Sequence, residues 1–201
     1  MIVIVESNFV LEVALQQETS KDAEHIISLA EAQRIRLVVP ACALTEPFEA
    51  LTRRLKQRTK TLRRLRSEIT QLARSQRFAN LAQTSLVVAE ALDSSVASEA
   101  KELEGTVRRL IACSTVPSLT REVVEGALSV DARYKLEPQD AIVFASVEQY
   151  LKGVDAKRPK LFINKDHTDF LVDSIEQRLS ELGCKLIPRF DKAREFIDSQ
   201  I

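Results

Sequence analysis

The chain has 201 residues, 45% of them hydrophobic and 29% charged, with 29 basic against 29 acidic side chains and a formal net charge of zero. That is an ordinary globular composition, which excludes collagen-like, disordered and disulfide-scaffold classes. The 4 Gly and 6 Pro argue against a sandwich or barrel with many tight turns. No apolar run approaches the roughly 20 residues that span a bilayer. The opening Met-Ile-Val-Ile-Val-Glu lacks a basic n-region, so no signal peptide and no membrane contact are expected, and a cytoplasmic location is.

Residues 2–5 are β-branched without alternation, which predicts a short strand buried on both faces, as in a parallel sheet. Ala23, Ile26, Ile27 and Ala30 sit at helical spacing in Lys21–Gln33, with Ser20 as the expected N-cap. Leu37-Val38-Val39, closed by Pro40, is a second strand and completes a βαβ unit. From Ala41 the pattern turns helical. Leu51, Leu55, Leu62, Leu65, Ile69 and Leu72 form a heptad-like stripe, with Arg58 in one vacant slot.

A second long helix is expected over about 79–112, with Leu86, Ala89, Leu92, Val96, Ala100, Leu103, Val107 and Leu110 as its apolar series and a break or bend at Ser94-Ser95. Cys113–Leu119 reads as a linker. Thr120 caps a short helix to about Arg133, and Pro138 suits the first turn of another to about Leu151. After the polar loop Asp155–Lys160, Leu161–Ile163 is a third strand. A helix over Asp173–Leu182 stops at Gly183. Cys184–Ile187 is a fourth strand and Lys192–Asp198 a terminal helix.

Charge is neutral only in the sum. Ten cationic side chains against one acid, Glu68, give residues 51–77 a charge of +9, so the rest of the chain carries −9. The bland reading of this stretch is a solvated face or a docking surface for a partner or second subunit. The functional reading is contact with a phosphate backbone, with affinity that falls as salt rises. No aromatic residue lies between Leu51 and Arg77, so stacking on unpaired bases is not its task. Cys42, Cys113 and Cys184 are odd in number and lack metal-type spacing, so they read as reduced packing thiols. His25 and His167 are the only histidines; a zinc site is not expected, and His167 reads as a loop residue.

Carboxylates recur where α/β sheets build their sites, beyond the carboxyl ends of the strands. Glu6 follows the first strand and Glu46 the second. Asp140 opens the helix before the third strand, and Asp166 and Asp169 follow that strand. The bland alternatives are a helix-dipole partner for Asp140, a turn residue for Asp166 and a helix cap for Asp169. Two unit charges about 4 Å apart repel by around 4 kcal/mol at an effective dielectric near 20. Gathered acids therefore either hold protons or bind a cation. Oxygen-only donors favour Mg²⁺ or Mn²⁺. Such an ion activates water and neutralises charge on a phosphodiester, so the chemistry implied is phosphodiester hydrolysis.

Four segments resemble the PIN-domain ribonucleases. Met1–Leu11, Met-Ile-Val-Ile-Val-Glu-Ser-Asn-Phe-Val-Leu, is similar to that family's opening strand, acid, Ser or Thr, and Asn. Leu136–Val143, Leu-Glu-Pro-Gln-Asp-Ala-Ile-Val, is similar to the helix start carrying its third acid. Leu161–Phe170, Leu-Phe-Ile-Asn-Lys-Asp-His-Thr-Asp-Phe, resembles its strand followed by Thr-x-Asp-x-x-Asp-Phe, and Cys184–Pro188 its last short strand. The resemblance covers about 1–50 and 118–190.

The resemblance implies a PIN-like three-layer α/β fold, with a central, mostly parallel sheet of four or five strands. Residues 1–201 would form one domain with a helical insertion at about 51–112. It implies Mg²⁺- or Mn²⁺-dependent cleavage of RNA by Glu6, Glu46, Asp140 and Asp166. Asp169 would be an auxiliary acid, and Ser7 or Asn8 would orient the first carboxylate. Glu49, one helical turn from Glu46, is the alternative second acid. Lys165 and the basic helix, through Arg53, Arg54, Lys56, Arg63 and Arg64, would position RNA. Many PIN proteins are toxins held by an antitoxin, so an antitoxin, another protein or a second copy is the implied partner. Two residues depart from the family pattern: Glu6 stands where Asp is usual, and Asn164 where Thr is commoner. The longer Glu6 motivates a second reading, a PIN-like scaffold that binds RNA or protein without cleaving. A phosphatase or phosphotransfer domain ranks last, because no nucleophilic Asp motif is evident.

Overall fold

The computed structural model describes residues 1–155, 157–165 and 173–201. The expected acids Asp166 and Asp169 and the loop residue His167 lie outside the described residues. The chain divides into two units, Met1–Pro47 with Gly105–Ile201, and Phe48–Glu104.

In the first unit five strands form one parallel sheet: β1 (Ile2–Val5), β2 (Arg36–Val38), β3 (Ser114–Thr115), β4 (Lys160–Ile163) and β5 (Cys184–Ile187). Their order is β3-β2-β1-β4-β5. Side chains alternate between the two faces of a strand. Ile2, Ile4, Phe162, Cys184 and Leu186 therefore share one face. They join a core with Val123, Ala127, Phe144, Val147, Ile175 and Leu179. Those partners come from α5 (Arg121–Tyr134), α6 (Pro138–Lys152) and α7 (Asp173–Glu181). The alternate residues Val3, Val5, Leu161 and Ile163 are equally buried. Their side of the sheet is covered by α1 (Ser7–Ala14), α2 (Ser20–Glu31) and α8 (Phe190–Asp198). Phe9 and Phe190 lock α1 to α8 edge-to-face, 5.5 Å between ring centres. The three-layer α/β architecture expected from the sequence is present, with five strands.

The two remaining helices are α3 (Ala41–Ala73) and α4 (Ala79–Cys113). Residues 48–104 of these helices make up the second unit, an antiparallel hairpin. Leu62 and Ile69 pack against Ala82 and Ala89, with Leu65 and Leu92 at the edge. Arg58, in the vacant heptad slot, binds Glu99 at 2.8 Å and the Ser95 hydroxyl at 2.7 Å. Arg66 pairs with Asp93 at 2.8 Å.

Several local expectations are corrected. There is no break at Ser94-Ser95: their hydroxyls donate to the carbonyls of Ala91 and Leu92 while α4 continues. Leu72 and Leu86, expected in the apolar stripes, are exposed, whereas Ala82 is buried. The expected linker from Cys113 holds the edge strand β3, paired with β2 through Leu37 and Val38. Strand β4 starts one residue early, since Lys160 pairs in the ladder with Ile2 and Cys184, and its buried side chain donates to the Leu182 carbonyl at 3.1 Å. The N-cap of α2 is Thr19, without a side-chain cap bond. Its hydroxyl donates instead to Glu12 at 2.7 Å.

Glu12 is fully buried and anchors α1 to the segment entering α2. It also accepts from the Thr19 amide at 2.5 Å and from Lys165 at 2.8 Å. Burial pushes its carboxyl up, but these donors outweigh burial and hold it below the ordinary value. Its ionised form therefore contributes stability that is lost as pH falls through the lowered value. Glu12→Ala strands the half-buried donors of Thr19. It is expected to lower unfolding free energy by about 2–4 kcal/mol in urea titrations.

Candidate functional site: an acidic cluster at the carboxyl end of the sheet

Strand order reverses between β1 and β4, the place where open α/β sheets form their crevices. Val5 and Ile163 are in register as the last residues of those strands. The next residues, Glu6 and Asn164, are both buried at that edge. Glu6 is also the N-cap of α1, in extended backbone conformation. Its Oε2 accepts from the Asn8 amide at 2.7 Å and from the Ser7 hydroxyl at 3.0 Å. Glu is an uncommon cap. Here the two donors grip one oxygen, and the other, Oε1, is buried with no hydrogen-bond partner.

Burial, with Glu6 only 4% exposed, pushes its carboxyl from 4.5 up to about 7, against the pull of Asn8 and Ser7. Glu46 and Asp140 push it further in the same direction by their negative charge. Two of the expected acids therefore act electrostatically on the first. Glu46 lies near the start of α3, and the buried Pro47 follows it. Pro47 cannot donate to the Ala43 carbonyl. The Thr45 hydroxyl bonds the adjacent Cys42 carbonyl at 3.1 Å. The alternative second acid, Glu49, is exposed and belongs to the other unit. Asp140 is half-buried in the first turn of α6, behind Pro138 at the helix start.

The donor set fits a hard cation in one respect: a desolvated carboxylate oxygen lacks a partner and is flanked by two further carboxylates, with no soft ligand required. Among the described residues, no three His, Cys, Asp or Glu side chains lie close enough to enclose an ion by themselves.

The remaining expected residues are placed as follows. Ser7 and the Asn8 backbone hold Glu6, as above. The half-buried Lys165 ammonium is paired with Glu12, which gives it a structural task. Arg53, Arg54, Lys56, Arg63 and Arg64 are exposed on the hairpin unit, outside the unit that holds the acids. His25 is paired with Asp198 at 2.8 Å. The three cysteines are free thiols, and only Cys184 is fully buried. Cys42 lies on the same helix face as Glu46, and burial raises its thiol above the ordinary value. Sequence reasoning missed Glu6 as a helix cap; Ser7-Asn8, small donors directly after the acid, was its available signal. No described helix is long and apolar enough to cross a membrane.

The PIN domain family matches residues 3–170 of the chain. Comparison with curated proteins finds no match. Among solved structures, the crystal structure of VapBC2 from Rickettsia felis bound to a DNA fragment from their promoter is similar in fold. That likeness has a TM-score of 0.42 and 8% sequence identity, and covers 93% of this chain and 99% of that one.

Proposed function

Because this chain belongs to the PIN-domain family, we propose that it is a divalent-metal-dependent endoribonuclease whose site is built around Glu6. The observation that carries the proposal is the buried, unpartnered Oε1 of Glu6, with Glu46 and Asp140 raising its proton affinity. Glu6, Glu46 and Asp140 would hold Mg²⁺ or Mn²⁺, with Asp166 and Asp169 as the further acids. The bound ion supplies activation of water and neutralisation of charge on the phosphodiester. The protein's own residues do the rest. Ser7 and Asn8 fix one oxygen of Glu6, so the other is aimed without free rotation. Burial keeps water from screening Glu6. In this reading residues 48–104 are an insertion in a single PIN-like domain. RNA is the substrate in the cytoplasm, and an antitoxin or a second copy is the protein partner.

Purified protein is expected to cleave a labelled single-stranded RNA with Mn²⁺ and to stop in EDTA. Removing a hydrogen-bond partner of a metal ligand lowers metal affinity or activity about 10–100-fold, and removing a ligating carboxylate costs at least the upper end of that range. Asp140→Asn should therefore reduce cleavage about 100-fold or more with an unchanged circular dichroism spectrum. Equal cleavage by both proteins would overturn the proposal. One observation favours the scaffold reading instead: the described carboxylates do not close around an ion. Calorimetry decides between them, since a scaffold takes up no Mn²⁺ at millimolar concentration.

A further inference from the structure

The basic half of α3 separates into two sets of cations. Arg58 and Arg66 point across the hairpin and are ion-paired to α4. Arg53, Arg54, Lys56, Lys60, Arg63 and Arg64 are exposed, and no hydrogen bond or ion pair holds any of them among the described residues. At 3.6 residues per turn, Arg53, Lys56, Lys60, Arg63 and Arg64 fall within about 100° of the helix circumference, opposite Leu51, Leu62 and Ile69. Those three apolar residues are buried. Residues 50–67 contain no acid. Solvated helix faces ordinarily intersperse both signs and gain from i,i+4 pairs. This one keeps five like charges along about 16 Å of helix, with Glu49, one turn before Arg53, the single acid of residues 49–67 to offset them and no ion pair joining the two.

Lys56, Lys60 and Arg63 also line a groove of about 640 Å³ with Thr52, Leu55 and Thr59. The groove offers ammonium, guanidinium and hydroxyl groups and no aromatic ring.

We propose that this outward stripe of α3 is a nucleic-acid-binding arm that grips the sugar–phosphate backbone of RNA without reading its bases. The occupant follows from charge. A whole protein of zero net charge has no field to attract a polyanion, so attraction must come from a local unpaired array. A linear row of cations with free donors matches a linear row of phosphates. The absence of rings removes base stacking, and a groove open along one helix face favours contact with the backbone over base edges. The proposal rests on the nuclease reading only for the choice of RNA as the nucleic acid.

The test is fluorescence anisotropy with the full chain and a labelled 20-nucleotide oligouridylate, in EDTA, at several salt concentrations. The quadruple variant Arg53→Ala, Lys56→Ala, Lys60→Ala, Arg63→Ala removes no contact and introduces the strongest helix former, so the hairpin keeps its helicity. The slope of log affinity against log salt should fall by about 3, and affinity at low salt by at least about tenfold. The charge-preserving exchange Arg53→Lys, Lys56→Arg, Lys60→Arg, Arg63→Lys should keep both. Unchanged affinity and slope in the alanine variant would overturn the proposal. So would a variant that passes from dimer to monomer with RNA binding intact, since the stripe would then be a subunit contact. Failure of the nuclease reading is seen separately: wild type would cleave nothing with Mn²⁺, while the binding result in EDTA would stand.

Discussion

Glu6→Gln is expected to lower metal-dependent RNA cleavage about 100-fold or more and, in the same protein, to abolish a loss of stability that the wild type undergoes as pH rises. The two effects have one cause. Glu6 holds its proton up to about pH 7 in the folded chain, against an ordinary value of 4.5. The folded state therefore binds the proton more tightly than the unfolded chain between those values. Stability falls as pH climbs through that window and stays at its lower level above it. A shift of about 2.5 pH units corresponds to roughly 3 kcal/mol at full extent. Gln carries no charge, so its stability does not fall across this range on this account. It does place an amide where Oε1 lacks a partner, a loss that is the same at every pH. The difference between the two proteins isolates the charge. Without metal, the stability of Glu6→Gln relative to wild type should rise by about 2–3 kcal/mol from pH 5 to pH 8 in urea titrations. A flat difference would mean that the carboxyl is not held in a desolvated site.

The placement of Glu6 and Asp140 at element ends was legible in the sequence. Ile-Val-Ile-Val without alternation demands a strand buried on both faces, and an acid directly after it falls at the sheet's carboxyl edge. Asp140 behind Pro138 fixes a helix start in the same way. What stayed hidden is physical in origin. Helix α1 is not legible in the sequence, because its 8 residues are too short a window for a helical period to show. Ser114-Thr115 has no apolar signature, because an edge strand of two residues needs only backbone bonds. Spacing could not separate Glu46 from Glu49, since both lie within one helical turn; burial near Glu6 separates them. Counting charges could not divide the cations of α3. Arg58 and Arg66 are committed to acids 41 and 27 residues away, a fact of hairpin register.

Divalent-ion binding is expected to be strongly pH dependent, and the dependence identifies Glu6 as the group that must ionise. Below about pH 7 the Glu6 carboxyl carries a proton that an incoming cation has to displace. Displacing one proton makes apparent affinity rise about tenfold per pH unit up to about pH 7, and flatten above it. An exposed carboxylate cluster with ordinary values would reach its plateau two units lower, near pH 5. Calorimetry with Mn²⁺ between pH 5 and 8.5, repeated in two buffers of different ionisation enthalpy, gives the affinity and the protons released together. The expected result is close to one proton at pH 6 and close to none at pH 8.5. Glu6→Gln should bind weakly and lose the proton release, because the group that exchanges proton for metal is gone. Asp140→Asn should bind more weakly yet still release the proton, since Glu6 is intact. The plateau should shift slightly downward in pH, because one of the two negative charges that raise the Glu6 value has been removed. That contrast separates the buried acid that exchanges its proton for the ion from a carboxylate that holds the ion and raises the Glu6 value. Affinity already flat from pH 5 upward would place the ion elsewhere on the protein.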